Sequence, residues 1–394
     1  MTGPRPVRHP GELRWETRLL GGVTLVLLAF GVAATYGAAS LVTIKGQSAG
    51  LGFAARQLSG AVIGGLLLLW ASRQDYYRWR TWAWPLLLCT IGLLLIPLLP
   101  FTRGISPSLN GARRWVDIGP LNFQPSELAR LVVVIWCAML ASKKGAQVRE
   151  FKKGVMPFIL ILGLVSVLIL LEPNLSMATL VALLGGLVLF TSGAKIGHFF
   201  LLGGVAAILV FHQIRDAQYR LARVLTFLNP GDATTEGGFQ IHQSLVGIGS
   251  GGLFGTGFGM GQQKLGYLPY AYSDFLFSTI GEEWGFAGVL VVVLLFALFC
   301  WLGFRIARTA SEPFGQYLAV GLTATIGLTA FMHMAVSLGL MPTTGLTLPF
   351  MSYGRSSQVI SLLGTGILIN IGRLRGKPRS VVAEKREDGR REGK

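Results

Sequence analysis

The sequence predicts an all-α protein that crosses a membrane about ten times. Three observations carry that prediction. Hydrophobic residues make up 52% of the 394-residue chain and charged residues only 13%, about half the charged share of a soluble domain. The apolar residues gather in runs of about 17 residues or more, long enough for spanning helices and too long for barrel strands. The basic residues sit in short clusters between those runs, the pattern of topology signals. Together these exclude a soluble globular enzyme, a disordered tail protein and a fibrous repeat.

Taken in order, the spans fall near 18–40, 54–72, 82–101, 126–142, 155–171, 175–192, 196–212, 274–304, 315–340 and 356–372. Arg5, Arg8, Arg14 and Arg18 lead into the first, which is too long for a signal-peptide core and has no clear cleavage site. The eighth exceeds what a bilayer needs, so it is either tilted or has its first two turns at or above the interface. Residues 18–372 thus form one membrane domain between an N-terminal tail, 1–17, and a charged, disordered tail, 373–394. Ten crossings put both tails on one side. That side holds 24 Lys and Arg and the other holds 9, with Arg130 and Arg355 in or beside spans, so the tails are cytoplasmic. The net charge of +17 is therefore topological and not a nucleic-acid footprint. Cys89, Cys137 and Cys300 each lie inside an apolar span and read as packing residues.

Two external segments exceed ordinary connectors, one near 102–125 and a larger one near 213–273 between helices 7 and 8. Within the second, Tyr219–Leu228 is amphipathic and suited to lie along the membrane surface. Gly247–Gly261 is glycine-rich, with Ile, Leu, Phe and Met interspersed. It reads either as a flexible linker or, better, as a packed loop whose backbone approaches its neighbours closely.

Asp and Glu total only 18, so each one outside the cytoplasm is informative. Asp274 opens the eighth span. It reads as a helix N-terminal carboxylate with Ser273 as cap, or as a general base at the outer interface. Glu282 lies about 12 Å deeper on an ideal helix, so Glu282 and Glu283 are expected to pair with a cation or backbone in a structural or gating network. Glu127 and Arg130 share a helix face three residues apart and form an ion pair, either locking the helix or serving catalysis. Arg113, Arg114 and Trp115 suit phosphate beside a sugar or lipid, or headgroup anchoring. The five histidines show no metal-ligand spacing, and no phosphate loop, dinucleotide fingerprint, zinc spacing or serine-hydrolase elbow is present. These residues point to an external site at the interface for an anionic, lipid-like ligand, without fixing a reaction.

Four ordered motifs go further: NGARRWVDIGPLNFQPSELAR (110–130), QSLVGIGSGGLFGTG (243–257), QKLGYLPYAYSDFLFSTIGEE (263–283) and LPFMSYGRSS (348–357). They resemble the SEDS family of shape, elongation, division and sporulation proteins, which includes FtsW, RodA and SpoVE. Leu171-Glu172-Pro173 and Gly281-Glu282-Glu283 look most like the division branch. The resemblance implies a peptidoglycan glycosyltransferase that polymerises lipid II on the outer face of the bacterial cytoplasmic (inner) membrane. The acceptor GlcNAc 4-hydroxyl would attack the donor MurNAc anomeric carbon, and undecaprenyl pyrophosphate would leave. Asp274 matches the family's essential aspartate. Arg113, Arg114, Trp115, Glu127, Arg130, Ser352 and Ser356 match motif positions for binding substrate and its pyrophosphate, and the external Lys264 joins them as a further cation. A class B penicillin-binding transpeptidase and other divisome or elongasome membrane proteins are the implied partners. A divalent cation, magnesium or manganese, at the pyrophosphate stays open, since no ligand cluster demands one.

The chain departs from the family pattern at Asn174, where PDxG has an aspartate, at Arg355, where SYGG has its second glycine, and at Tyr270–Ser273, where LPE-x-HTD has a glutamate and a histidine. Two other readings follow from the residues: a flippase for lipid-linked precursor, with charged residues near the midplane, and a non-catalytic scaffold that activates a partner transpeptidase.

Overall fold

The computed structural model describes residues 15–40, 43–44, 47–48, 50–108, 111–118, 121–228 and 236–374. Most of the two expected tails, together with 229–235 of the long loop, lies outside the described residues.

The described residues are mainly helical: α1 (Trp15–Ala39), α2 (Gly50–Arg73), α3 (Tyr77–Leu95), α4 (Pro125–Lys144), α5 (Met156–Leu171), α6 (Leu175–Thr191), α7 (Ile196–Arg215), α8 (Gln218–Leu228), α9 (Glu236–Ser250), α10 (Leu276–Thr309), α11 (Pro313–Ser337) and α12 (Arg355–Leu374). Two short antiparallel hairpins, β1–β2 (Thr43–Ile44 with Gln47–Ser48) and β3–β4 (Val116–Ile118 with Leu121–Phe123), lie in the connections. Among the described residues nine helices are long and apolar enough to cross a membrane. The tenth expected crossing is α6, whose 17 residues reach the lower limit of about 17 for a span. The ten expected spans therefore match α1–α7 and α10–α12, and the multi-pass reading holds.

Helix ends follow local chemistry. Pro125 opens α4 where its missing N–H costs nothing, Glu127 sits in the first turn, and Lys143 and Lys144 close the last. Asn174 accepts the Met177 N–H and caps α6. α4 is the bundle's centre: Leu131–Ala141 is buried without a break, as an all-round apolar helix requires. α7 is the opposite case, equally apolar yet with no buried residue. It lies at the bundle's edge, touching the core through the partly buried Phe199 and Leu202. Between α2 and α12, Gly366 packs so closely that an added Cβ would lie 2.5 Å from the Leu68 carbonyl oxygen, a small-residue crossing of the kind membrane helices use.

The long eighth span is two helices. Gly285 breaks α10 with φ 65° and ψ −163°. A break inside a membrane segment frees backbone groups that must find partners. The glycine-rich segment supplies them. Thr256 N and Gly257 N donate to the Glu282 and Glu283 carbonyls at 2.9 and 3.1 Å, and Phe286 N and Ala287 N donate to the Gly252 and Leu253 carbonyls at 2.9 and 3.1 Å. The segment is thus a packed splice across the break rather than a flexible linker. Glycine is demanded here: a Cβ on Gly251 would lie 1.9 Å from the Gly281 carbonyl oxygen. Gly251→Ala is expected to cost about 1–3 kcal/mol through forced backbone shifts. Thermal unfolding in detergent reads that loss, and an unchanged midpoint would contradict the splice.

Candidate functional site

Asp274 does not open a helix. Phe275 occupies the N-cap position of α10, with no side-chain cap, and the helix begins at Leu276. This corrects the expectation that Ser273 caps a helix carrying Asp274. The reason is a tight turn just upstream, where Tyr270, in the left-handed region at φ 57°, offers its carbonyl to the N–H groups of Ser273, Asp274 and Phe275. The turn holds the half-buried Asp274 side chain beside the α11–α12 connection, where a Cβ added to Gly345 would lie 3.7 Å from Asp274 Oδ2. Burial lifts the Asp274 carboxyl above its ordinary value, while the Ser273 hydroxyl and the Arg223 charge pull it down.

The same turn is bound to its surroundings through Tyr272. Its carbonyl accepts from Tyr353 N at 3.0 Å, and its ring packs on Phe53 and Tyr353 with centroids 4.6 and 5.8 Å away. The tyrosine standing in place of the family histidine is thus an aromatic anchor. One step further along, Ser356 Oγ accepts from Gln124 N at 3.2 Å and donates to the Asn122 carbonyl at 3.3 Å. Arg355 Nη2 donates to Asn122 Oδ1 at 3.1 Å. Ser352 Oγ accepts from Leu348 N at 3.0 Å. Asp274, Ser352, Ser356 and the β3–β4 hairpin therefore belong to one assembly. A buried glutamine that the sequence reading did not single out, Gln57, fastens it to α2 through the Met351 and Ser352 carbonyls at 3.2 and 3.1 Å. A polar residue inside an apolar span is the signal that could have found it.

The other expected site residues lie elsewhere in the architecture. Arg113 spends its guanidinium on its own loop, donating to the Ser106 and Leu99 carbonyls and to Thr102 Oγ1 at 3.0–3.1 Å. Half-buried Trp115 gives its carbonyl to Ser106 Oγ. Arg114 reaches the Glu172 and Pro173 carbonyls at 2.9 and 2.5 Å, joining this loop to the α5–α6 turn. Arg130 is 1% exposed. It pairs with Glu127 at 2.8 Å and donates to Ser357, Ser361 and Thr329, locking α4 to α12 and α11. Lys264, expected on the substrate side, is instead enclosed beneath the splice. Its ammonium pairs with Glu283 at 3.0 Å and donates to the Gly37 and Gly259 carbonyls. Glu283 Oε2 also accepts from Gly259 N, and Glu282 accepts from Gln262 N and Gln263 N. The pairing of Glu282 and Glu283 with backbone and a cation is as expected; the identity of the cation is new.

Glu172 is fully buried, and neither carboxyl oxygen has a hydrogen-bond partner among the described residues. Burial pushes its pKa from 4.5 up to about 8, with the Arg114 charge opposing. The folded state then holds a proton that the unfolded chain releases near 4.5. Stability is full below that value and falls as pH rises towards 8, by up to about 1.4 kcal/mol per unit. Glu172→Gln is expected to flatten the decline of the unfolding midpoint between pH 5 and 8. Parallel curves for the two proteins would refute this.

Among the described residues no three of His, Cys, Asp and Glu converge on one point. Among these residues none forms a cage for a divalent ion by itself, and the carboxylate the turn presents is that of Asp274.

A family model described as "Cell cycle protein", covering FtsW, RodA and SpoVE, matches residues 17–376. The chain belongs to this family. The probable peptidoglycan glycosyltransferase FtsW of Geobacter sp. (strain M18) is 39% identical over 355 residues, covering 90% of this chain and 96% of the relative. Stage V sporulation protein E of Bacillus subtilis (strain 168) is 36% identical over 90% of this chain and 96% of its own. Among solved structures, one described as "Structural coordination of polymerization and crosslinking by a peptidoglycan synthase complex" aligns with TM-score 0.75 at 27% identity, over 92% of this chain and 98% of that one. The Thermus thermophilus rod shape determining protein RodA aligns with TM-score 0.67 at 27% identity, over 91% and 97%. In this family member two departures from the expected pattern have plain structural roles: Asn174 caps α6, and Arg355 ties α12 to the hairpin.

Proposed function

We propose that this family member is a peptidoglycan glycosyltransferase that polymerises lipid II at the outer face of a bacterial cytoplasmic membrane, in the service of division. The observation that carries the reading is Asp274, a half-buried carboxylate held by a rigid turn among the external connections. The names of its relatives support it. A sugar hydroxyl is a poor nucleophile, so a positioned base is needed. Asp274 takes the proton of the acceptor GlcNAc 4-hydroxyl as that oxygen bonds to the donor MurNAc anomeric carbon. The bond from that carbon to the phosphate oxygen breaks, and undecaprenyl pyrophosphate leaves with the electron pair. Attack opposite the leaving group gives a β linkage. The substrates are amphiphiles, and a site beside spanning helices admits their lipid tails without extraction from the bilayer.

A magnesium or manganese ion would be held by Asp274 and chiefly by the substrate's own pyrophosphate, the usual manner for magnesium. A class B penicillin-binding transpeptidase is the partner that crosslinks the strands, alongside other divisome membrane proteins. The test is strand synthesis from lipid II by the purified protein in detergent, with and without that partner. Glycan strands on a gel are expected. Their absence even with the partner present would favour the carrier or scaffold reading.

A further inference from the structure

The exposed apolar face of α10 marks where the bilayer ends. Phe286, Leu290, Leu294, Trp301 and Phe304 lie along it, all exposed, at the spacing of one helix face. Phe286 to Phe304 covers about 27 Å at about 1.5 Å per residue, close to the ~30 Å of a hydrocarbon core. At one end Arg305 stacks on Trp15 and Trp301, 5.0 and 5.3 Å from their ring centroids, on the side where the basic clusters gather. At the other end stands the exposed Trp284, and tryptophans are enriched at both membrane interfaces. Beyond Trp284 the character changes, since every residue from 276 to 283 is buried in protein. The break at Gly285 therefore falls at the outer edge of the hydrocarbon, with the first two turns of α10 above it.

The glycine-rich splice reaches the same level. Its Gly252 and Leu253 carbonyls accept from Phe286 N and Ala287 N, and Phe258 packs on Trp284 with centroids 6.0 Å apart. Its tip turns apolar side chains outward: Phe254 is 82% exposed and Met260 72%, with Leu253 and Phe258 exposed beside them. Such a patch marks an interaction surface. Three observations identify what covers it. The patch continues the lipid-facing strip of α10 through Phe286. No Asp, Glu, Lys or Arg occurs from 237 to 263. The backbone is also prepared for lipid, where every polar group needs an internal partner: the N–H groups of Gly255, Thr256, Gly257, Gly259 and Met260 all donate within the protein. We propose that the tip, residues 253–260, is an outer-leaflet anchor, with Leu253, Phe254, Phe258 and Met260 among the acyl chains just beneath the headgroups. A protein partner could sit at any height; the match in level to the top of the lipid-facing strip selects the bilayer. Because Thr256 N and Gly257 N hold the Glu282 and Glu283 carbonyls, the anchored tip sets the height of residues 276–284, and of the Asp274 turn before them, above the membrane.

The Phe254 side chain packs so little protein that replacing it leaves the fold intact, and a nitroxide there reports its surroundings without needing activity. Full-length protein carrying Phe254→Cys, with the accessible Cys89 and Cys300 changed to alanine and the buried Cys137 kept, is spin-labelled. It is reconstituted into vesicles of phosphatidylethanolamine and phosphatidylglycerol. Collision of the label with oxygen, which concentrates in lipid, is compared with collision with a water-soluble nickel chelate. Leu294→Cys, on the exposed face of α10, is the lipid reference, and Arg103→Cys, exposed on the first external segment, is the water reference. The expected result is a label at 254 that meets oxygen in preference to nickel, at a depth of about 5–10 Å into the boundary between headgroups and acyl chains and shallower than 294. Nickel access at 254 equal to that at 103 would overturn the proposal. Shielding of 254 from both reagents would mean that a protein surface covers the tip, and would overturn it equally.

Discussion

Asp274→Ala is expected to leave a folded, membrane-inserted protein that no longer polymerises lipid II. The side chain sits half-buried in a turn whose hydrogen bonds run through backbone groups, the Tyr270 carbonyl receiving three N–H donors. Truncation therefore removes little packing, and the unfolding midpoint should shift by a degree or two at most. The rate should fall by about 10²–10⁴-fold, the usual contribution of a positioned base. Asp274→Asn keeps the shape and loses the base, so it should match the alanine variant. Asp274→Glu keeps the base and displaces it by one methylene, a misplacement that can itself cost about 10²-fold. Since burial raises the pKa of Asp274, the wild-type rate should fall on acidification at a higher pH than a surface aspartate would give. The measurement is the initial rate of strand formation across pH for all four proteins, and wild-type rates from Asp274→Ala would end the assignment.

Much of this architecture is legible in the chain because a bilayer enforces it. An apolar run long enough to span must be a helix, and basic clusters set its orientation, so ten crossings can be read without any long-range contact. The split in α10 is invisible to the same logic. Hydropathy runs unbroken through Gly285, and only the left-handed backbone at that residue ends the first segment. The glycines of 247–261 hinted at close approach, but not that they approach a gap in another helix. Cations show the same limit. Lys264 looked like one more positive charge on an external loop, because a sequence cannot tell whether an ammonium faces a substrate or a buried glutamate 19 residues away. Arg113 and Arg130 likewise spend their donors on protein oxygens. Family motifs single out such residues as required without separating those that touch substrate from those that hold the site in shape.

Lys264→Met should be the most destabilising of the substitutions considered, by about 3–5 kcal/mol. The Lys264 and Glu283 side chains are each about 1% exposed and lie 3.0 Å apart. Removing the cation leaves a buried carboxylate whose remaining hydrogen-bond donor, among the described residues, is the Gly259 N–H. Glu283→Gln should cost less, about 1–3 kcal/mol, because an amide oxygen can still accept from Gly259 and the ammonium keeps the Gly37 and Gly259 carbonyls. Replacing both by methionine removes the stranded charge altogether, so the double variant should be more stable than Lys264→Met alone. That ordering distinguishes a buried pair from two independent residues, whose effects would simply add. The consequences should reach beyond stability. Glu283 carries the last carbonyl but one before the break at Gly285 and also grips the Gly259 amide, so it holds the splice that supports Leu276–Trp284, the segment directly following Asp274. Activity in Lys264→Met should therefore fall even where the protein remains folded, and recover in part in the double variant. Unfolding midpoints in detergent and strand synthesis on the same samples measure both effects. A Lys264→Met protein as stable as the wild type would mean that the ammonium is not buried against Glu283.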